Sequence, residues 1–174
     1  VGIGGSFAGS KAIIEALNSY FSRQRPKIYF VGNSLSSEYL ADLKKEIKGK
    51  EIVINYVSKS LKTLESQVVF NDLMRLMHEK YDNEEIIKRV IYTTSNKKQV
   101  PPGFSCFEIP DDIVGRYSVF TSVGLLPFLV CNIDVVKLFS GIKKAHDDIE
   151  LAKKYAFFRY LMIKENKEIE AFVT

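Results

Sequence analysis

The chain has 174 residues, 46% of them hydrophobic and 26% charged, a balance that excludes disorder. Twenty-five Lys and Arg against 21 Asp and Glu leave a net charge of +4 with the two signs interleaved. A dedicated nucleic-acid binder would carry a basic block or stripe, and only pairs such as Lys97-Lys98, Lys143-Lys144 and Lys153-Lys154 occur.

In chain order, Val1–Ile3 reads as the end of a first strand, closed by Gly4-Gly5-Ser6. The chain lacks an initiator Met and starts inside that strand, so it is read as an excerpt of a longer protein. Ala12, Ala16, Leu17 and Tyr20 recur at helical spacing, and Pro26 ends that helix. Lys27–Val31 is a short apolar run closed by Gly32-Asn33, and Ser36–Ile47 predicts a second helix. Glu51–Tyr56 reads as a strand and Ser58–Thr63 as a polar loop. Val69, Leu73, Leu76 and Met77 mark a third helix with Asn71, Arg75 and Glu79 on its wet side. Arg89–Tyr92 and Cys106–Ile109 read as strands separated by the Pro101-Pro102-Gly103 turn. The last third is mostly helical to about Lys164, with Ile169–Val173 as a candidate final strand.

Strand–helix alternation with continuous apolar strands predicts an α/β fold, a doubly wound and mostly parallel sheet flanked by helices. The length suits one domain over residues 1–174. Ligands of such sheets sit at the carboxyl ends of strands, where strand order reverses. That directs attention to the loops Gly4–Gly9, Gly32–Ser37, Ser58–Glu65 and Ile109–Ser118. Cys106 and Cys131 lie in apolar stretches and read as buried thiols. No Cys-x-x-Cys or Cys/His cluster occurs, and His78 and His146 lack metal-ligand spacing, so no metal site is expected. No apolar run reaches the roughly 18–20 residues that span a bilayer.

The first loop, Gly4-Gly5-Ser6-Phe7-Ala8-Gly9-Ser10, suits an anion: glycines admit close approach, and a helix start offers free N–H groups. Phe7 replaces a glycine of the dinucleotide fingerprint, and Gly32-Asn33-Ser34 stands where its acidic residue belongs, which weighs against NAD. The second loop, Ser58-Lys59-Ser60-Leu61-Lys62-Thr63, gathers three hydroxyls and two lysines before a helix that starts near Leu64-Glu65. Hydroxyls and N–H groups suit phosphate oxygens, and lysine adds point charge. No Walker lysine motif is present, so a monophosphate fits better than a triphosphate. The plainer alternative is an ordinary N-cap by Thr63 with solvated lysines. In the third stretch, Ile109–Ser118, Arg116 follows Gly115 in a strand-end loop and is placed to face a ligand. Its plainer alternative is a surface ion pair with Asp111 or Asp112.

Gly2-Ile3-Gly4-Gly5-Ser6, Val31-Gly32-Asn33, Ser58-Lys59-Ser60, Gly115-Arg116-Tyr117-Ser118 and Val123-Gly124-Leu125-Leu126-Pro127 together resemble the first sugar-isomerase (SIS) domain of the glucose-6-phosphate isomerase family. The resemblance implies a flavodoxin-like three-layer fold. It implies interconversion of glucose 6-phosphate and fructose 6-phosphate through an enediolate, by a cytoplasmic homodimer that needs no metal or cofactor, nucleic acid or membrane. By position, Gly5 and Ser6 match the family's first substrate-contacting turn. Ser58, Lys59, Ser60 and Thr63 match its phosphate loop, Arg116 its catalytic arginine facing the reacting carbons, and Glu65 a glutamate near the sugar. Lys62, Leu64, Val114 and Ser122 depart from the family's usual residues. The family's general-base glutamate, ring-opening histidine and late lysine fall beyond the equivalent of Thr174. The chain by itself is therefore expected to bind phosphosugar without turning it over. The rival reading is a non-catalytic phosphosugar-sensing SIS domain of a regulator, and a third is a flavodoxin-like interaction domain with no ligand.

Overall fold

In a computed structural model, residues 1–17 and 26–171 are described, and they fall into two compact units, Val1–Ile133 and Asp134–Thr174. In the first unit, β1 (Ile54–Val57), β2 (Val90–Thr94) and β3 (Ser105–Glu108) form a parallel sheet in the order β1-β2-β3. Ile, Val, Tyr and Thr dominate β1 and β2, the residue types that suit a pleated, buried surface. Alternation along β1 sends Ile54 and Tyr56 to one face and Val57 to the other.

The first face carries the main core. α2 (Ser37–Ile47) and α3 (Leu64–Lys80) bury Leu43, Ile47, Val69, Phe70, Leu73 and Met77 against Ile54, Tyr56, Val90 and Tyr92. Tyr56 stacks on Phe70 with ring centroids 4.2 Å apart, and Tyr92 meets both rings edge-on. Such aromatic packing adds specific geometry to plain burial. On the second face, Val57 and Ile109 pack with Val123 of α5 (Ser122–Val130).

Beyond β1 the layer continues in extended backbone. The Val57 N–H donates to the Val1 carbonyl at 2.8 Å, and the Gly2 N–H donates to the Val31 carbonyl at 2.8 Å. The residues expected as two further strands thus make ladder bonds, but too few to form regular strands. The chain steps outward from Val1 in one direction toward Val31 and in the other through β1, β2 and β3. Strand order therefore reverses beside Val1–Ile3 and β1. Gly32 sits at φ +118, and a Cβ there would lie 2.7 Å from the Gly2 carbonyl oxygen, so only glycine fits this approach.

The helices differ from expectation in two places. α1 (Ala8–Leu17) buries Ser10 and Ile14, while Ala12, Ala16 and Leu17 are exposed. The buried stripe is rotated from the expected one because Ser10 donates to the Val123 carbonyl, which turns that side of α1 toward α5. Tyr20 lies outside the described residues. α4 (Asn83–Arg89) was not anticipated, although Asp82 caps it by accepting from the Glu85 N–H at 2.9 Å. An Asp followed three residues later by Glu is a helix-start signal, here masked by the short apolar pair Ile86-Ile87.

The second unit holds α6 (Val135–Asp147) and α7 (Ile149–Lys164), capped by Asp134 and Asp148. Neither helix has a buried residue, and Phe157, Phe158, Tyr160 and Ile163 of α7 are exposed. Ile169–Ala171 form no strand, and Phe172 and Val173 lie outside the described residues. Among the described residues no helix is long and apolar enough to cross a membrane.

The Val1 nitrogen also donates to the Asn55 carbonyl at 2.7 Å, a second bond that ties the first extended segment to β1.

Candidate functional site

The ends of the three strands and of the extended Val1–Ile3 segment lie on one side of the sheet. The Gly4–Ser6 turn follows Val1–Ile3, and the Ser58–Thr63 loop follows β1. Thr94-Ser95 closes β2, and Ile109–Val114 leads from β3 into a short 3-10 helix, Gly115–Phe120, that carries Arg116. All lie at carboxyl ends of parallel segments, where open α/β sheets bind ligands.

Two contacts draw these loops together. A Cβ on Gly5 would lie 2.1 Å from the Gly115 carbonyl oxygen, so the first turn touches the arginine loop backbone to backbone. The Lys59 ammonium donates to the carbonyls of Asp111 at 2.6 Å and Ile113 at 3.1 Å. The carbonyl of Lys59 in turn accepts from Thr94 Oγ1 at 2.9 Å, Ser95 Oγ at 3.1 Å and the Ser95 N–H at 3.2 Å. Lys59 thus joins the ends of β1, β2 and β3.

The β1 loop is organised by its own hydroxyls. Ser58, buried at 4% exposure, accepts from the Leu61 N–H at 3.1 Å, and Ser60 accepts from the Lys62 N–H at 3.2 Å. Each serine uses a lone pair inside the loop and keeps its O–H proton for an outside acceptor. Leu61 is buried and held at φ +57, a left-handed conformation that a branched side chain adopts at a cost of about 1–3 kcal/mol. Gln67 Nε2 secures the turn by donating to the Leu61 carbonyl at 2.6 Å. Thr63 precedes α3 but its hydroxyl makes no capping bond, so the plain N-cap alternative does not hold. The hydroxyls of Ser6 and Thr63 make no hydrogen bond among the described residues. The first N–H groups of α3 open beside Thr63, with the partial positive charge of a helix start.

Arg116 is exposed and makes no ion pair among the described residues, so the alternative of a surface bridge to Asp111 or Asp112 is not realised. Ser118 donates to the Gly115 carbonyl at 2.7 Å and shapes the turn before it. Glu65 is exposed in the first turn of α3 and makes no ion pair among the described residues. The structure therefore gathers Gly5, Ser6, Ser58, Lys59, Ser60, Thr63 and Arg116 on adjoining strand-end loops, with Glu65 at their edge. Thr94, Ser95 and Gln67 escaped the sequence reading. The Thr93-Thr94-Ser95 run at a strand end was the available signal for the first two.

An apolar cavity of about 380 Å³ lies along the sheet, lined by residues that include Phe7, Val31, Val57, Leu73, Ile91 and Leu126. It reaches the loops above only at Ser6, and its apolar wall suits no phosphate. Cys131 is buried and Cys106 half-buried, and burial raises both thiol pKa values, which makes them poor nucleophiles.

The phosphoglucose isomerase family model matches residues 1–149. The glucose-6-phosphate isomerase of Onion yellows phytoplasma is 39% identical, over 100% of this chain and 44% of the relative. That of Acetivibrio thermocellus is 39% identical, over 99% of this chain and 43% of the relative. The chain thus spans less than half the length of these curated relatives. A solved structure of a hypothetical protein from Thermus thermophilus superposes with a TM-score of 0.70 at 26% identity, covering 84% of this chain and 35% of that one. With a parallel α/β core, loops gathered at its strand ends and a family match over most of its length, the chain belongs to the phosphoglucose isomerase family.

Proposed function

We propose that this chain is the sugar-phosphate-binding part of a glucose-6-phosphate isomerase, working in a cytoplasmic homodimer. One observation carries the reading: hydroxyls with free O–H protons at Ser58, Ser60 and Thr63 lie on the strand-end loop next to the one bearing Arg116, which has no ion pair among the described residues. A phosphomonoester needs several donors and gains from a helix start, and the first loop set supplies both. In aldose–ketose isomerisation the sugar is neutral at the reacting carbons until a proton leaves C2. The enediolate then carries negative charge on its oxygens, and Arg116 opposes that charge. The proton returns to C1 while the O2 hydroxyl proton passes to O1, which completes the ketose. The acid–base groups that move protons lie outside the described loops, so this chain supplies binding and electrostatic stabilisation. A phosphosugar sensor would use the same hydroxyls but would not need a cation at the reacting carbons.

Two substitutions in the full-length enzyme separate the roles. Ser60→Ala should weaken a phosphorylated competitive inhibitor by about 1.5–3 kcal/mol, the value of a hydrogen bond to a charged group. An unphosphorylated sugar should bind nearly as before; equal loss for both would make the loop structural.

Arg116→Ala should lower kcat and kcat/KM together by ~10²–10³, about 2.7–4 kcal/mol, with KM little changed. Arg116→Lys should recover part of this, because a point charge lacks the planar fork. Coupled-assay kinetics with a thermal melt of each variant checks it. A raised KM at normal kcat would move Arg116 from catalysis to binding.

A further inference from the structure

Lys59 stands in the loop assigned to phosphate, yet its ammonium is directed elsewhere. It reaches across to the arginine loop and donates to the carbonyls of Asp111 and Ile113 at 2.6 and 3.1 Å. Those residues lie three to five positions before Arg116. At its other end, the Lys59 carbonyl is fixed by three donors from Thr94 and Ser95 at the end of β2. The side chain is therefore a strut with a held base, spanning from β1 to the segment after β3. The arginine loop needs such a strut. It has little buried side chain of its own, since Asp111, Asp112, Val114, Gly115 and Arg116 are all exposed. The Gly5–Gly115 contact and local turn bonds, such as Ser118 to the Gly115 carbonyl, restrain it nearer Arg116. Arg116 makes no side-chain bond among the described residues, so where its guanidinium sits is set by the backbone beneath it.

We infer that Lys59 is a positioning residue: its ammonium clasps the Asp111 and Ile113 carbonyls and so sets the distance between the phosphate loop and Arg116. An ammonium binds two carbonyl oxygens more strongly than a neutral donor would, with a charge-assisted bond to each of them. A hydrophobic side chain of equal length leaves both carbonyls to water and frees the segment. A misplacement of about 1 Å at a reacting group can cost on the order of 10²-fold in rate. The clasp thus acts on turnover through Arg116 rather than on phosphate affinity. The kinetic part of this inference rests on the isomerase reading, whereas the clasp itself does not.

The test compares Lys59→Met and Lys59→Arg with the unmodified full-length protein. Hydrogen–deuterium exchange of the backbone addresses the clasp without reference to activity. Lys59→Met should speed exchange across residues 111–117 at least tenfold while α3 stays protected, and Lys59→Arg should restore part of the protection. Unchanged exchange in that segment would overturn the clasp, whatever the protein catalyses. Kinetics address its consequence. Lys59→Met should lower kcat about tenfold or more, with inhibition by inorganic phosphate altered less than threefold. In an Arg116→Ala background the same change should have almost no further effect on kcat, because the group it positions is gone. Weakened phosphate inhibition at normal kcat, or a full loss that adds to Arg116→Ala, would overturn positioning and leave Lys59 as a phosphate charge. If the unmodified protein isomerises nothing, the isomerase reading fails while the exchange result still decides the clasp.

Discussion

A single methyl group at Gly5 would stand 2.1 Å from the Gly115 carbonyl oxygen, closer than any carbon and oxygen can pack. The lack of a side chain there lets the first turn and the arginine loop share one surface. Everything assigned to the site depends on that approach. With it, a hydroxyl from Ser6, the donors of the β1 loop and the guanidinium of Arg116 lie on adjoining loops. Without it, the turn and the loop would part, and the proposed phosphate donors would no longer adjoin Arg116.

The sheet explains why those loops occur side by side. Parallel strands send all their carboxyl ends to one edge, and helices on both faces leave that edge as the open side. Val57 packs toward Val123 on one face while Tyr56 packs on Phe70 on the other, so β1 is fixed from both sides just before Ser58. A rigid strand followed by a loop that bonds to itself is a good base for oriented donors. Leu61 at φ +57 is the strained element of that loop, held by Ser58 and Gln67. Strain that a buried side chain and two hydrogen bonds maintain is a common feature of ligand clamps.

The parallel α/β core was legible because β1 and β2 are rich in Ile, Val, Tyr and Thr and the loops after the strands carry glycine, serine and lysine. Ser36–Ile47 matched α2 to within one residue, since Ser36 caps it as its type favours. The α1 stripe was misjudged because Ala12, Ala16 and Leu17 have helical spacing, whereas burial follows the partner helix and selects Ser10 and Ile14. Leu61 could not be foreseen at positive φ, because leucine avoids that region unless its surroundings impose it. Nor could the clasp of Lys59 be read, as its partners are main-chain carbonyls 52 and 54 residues away that carry no residue signature. The candidate site's residue types are thus legible in the sequence, while the bonds that tie the loops together belong to the fold.

The most direct measurement is a crystal structure of the full-length protein with fructose 6-phosphate. The account predicts phosphate oxygens within about 3 Å of Ser60 Oγ and Thr63 Oγ1, the reacting carbons beside the Arg116 guanidinium, and the Lys59 ammonium still on the Asp111 and Ile113 carbonyls. A phosphate seated on Arg116, with the Ser58–Thr63 hydroxyls facing water, would contradict it.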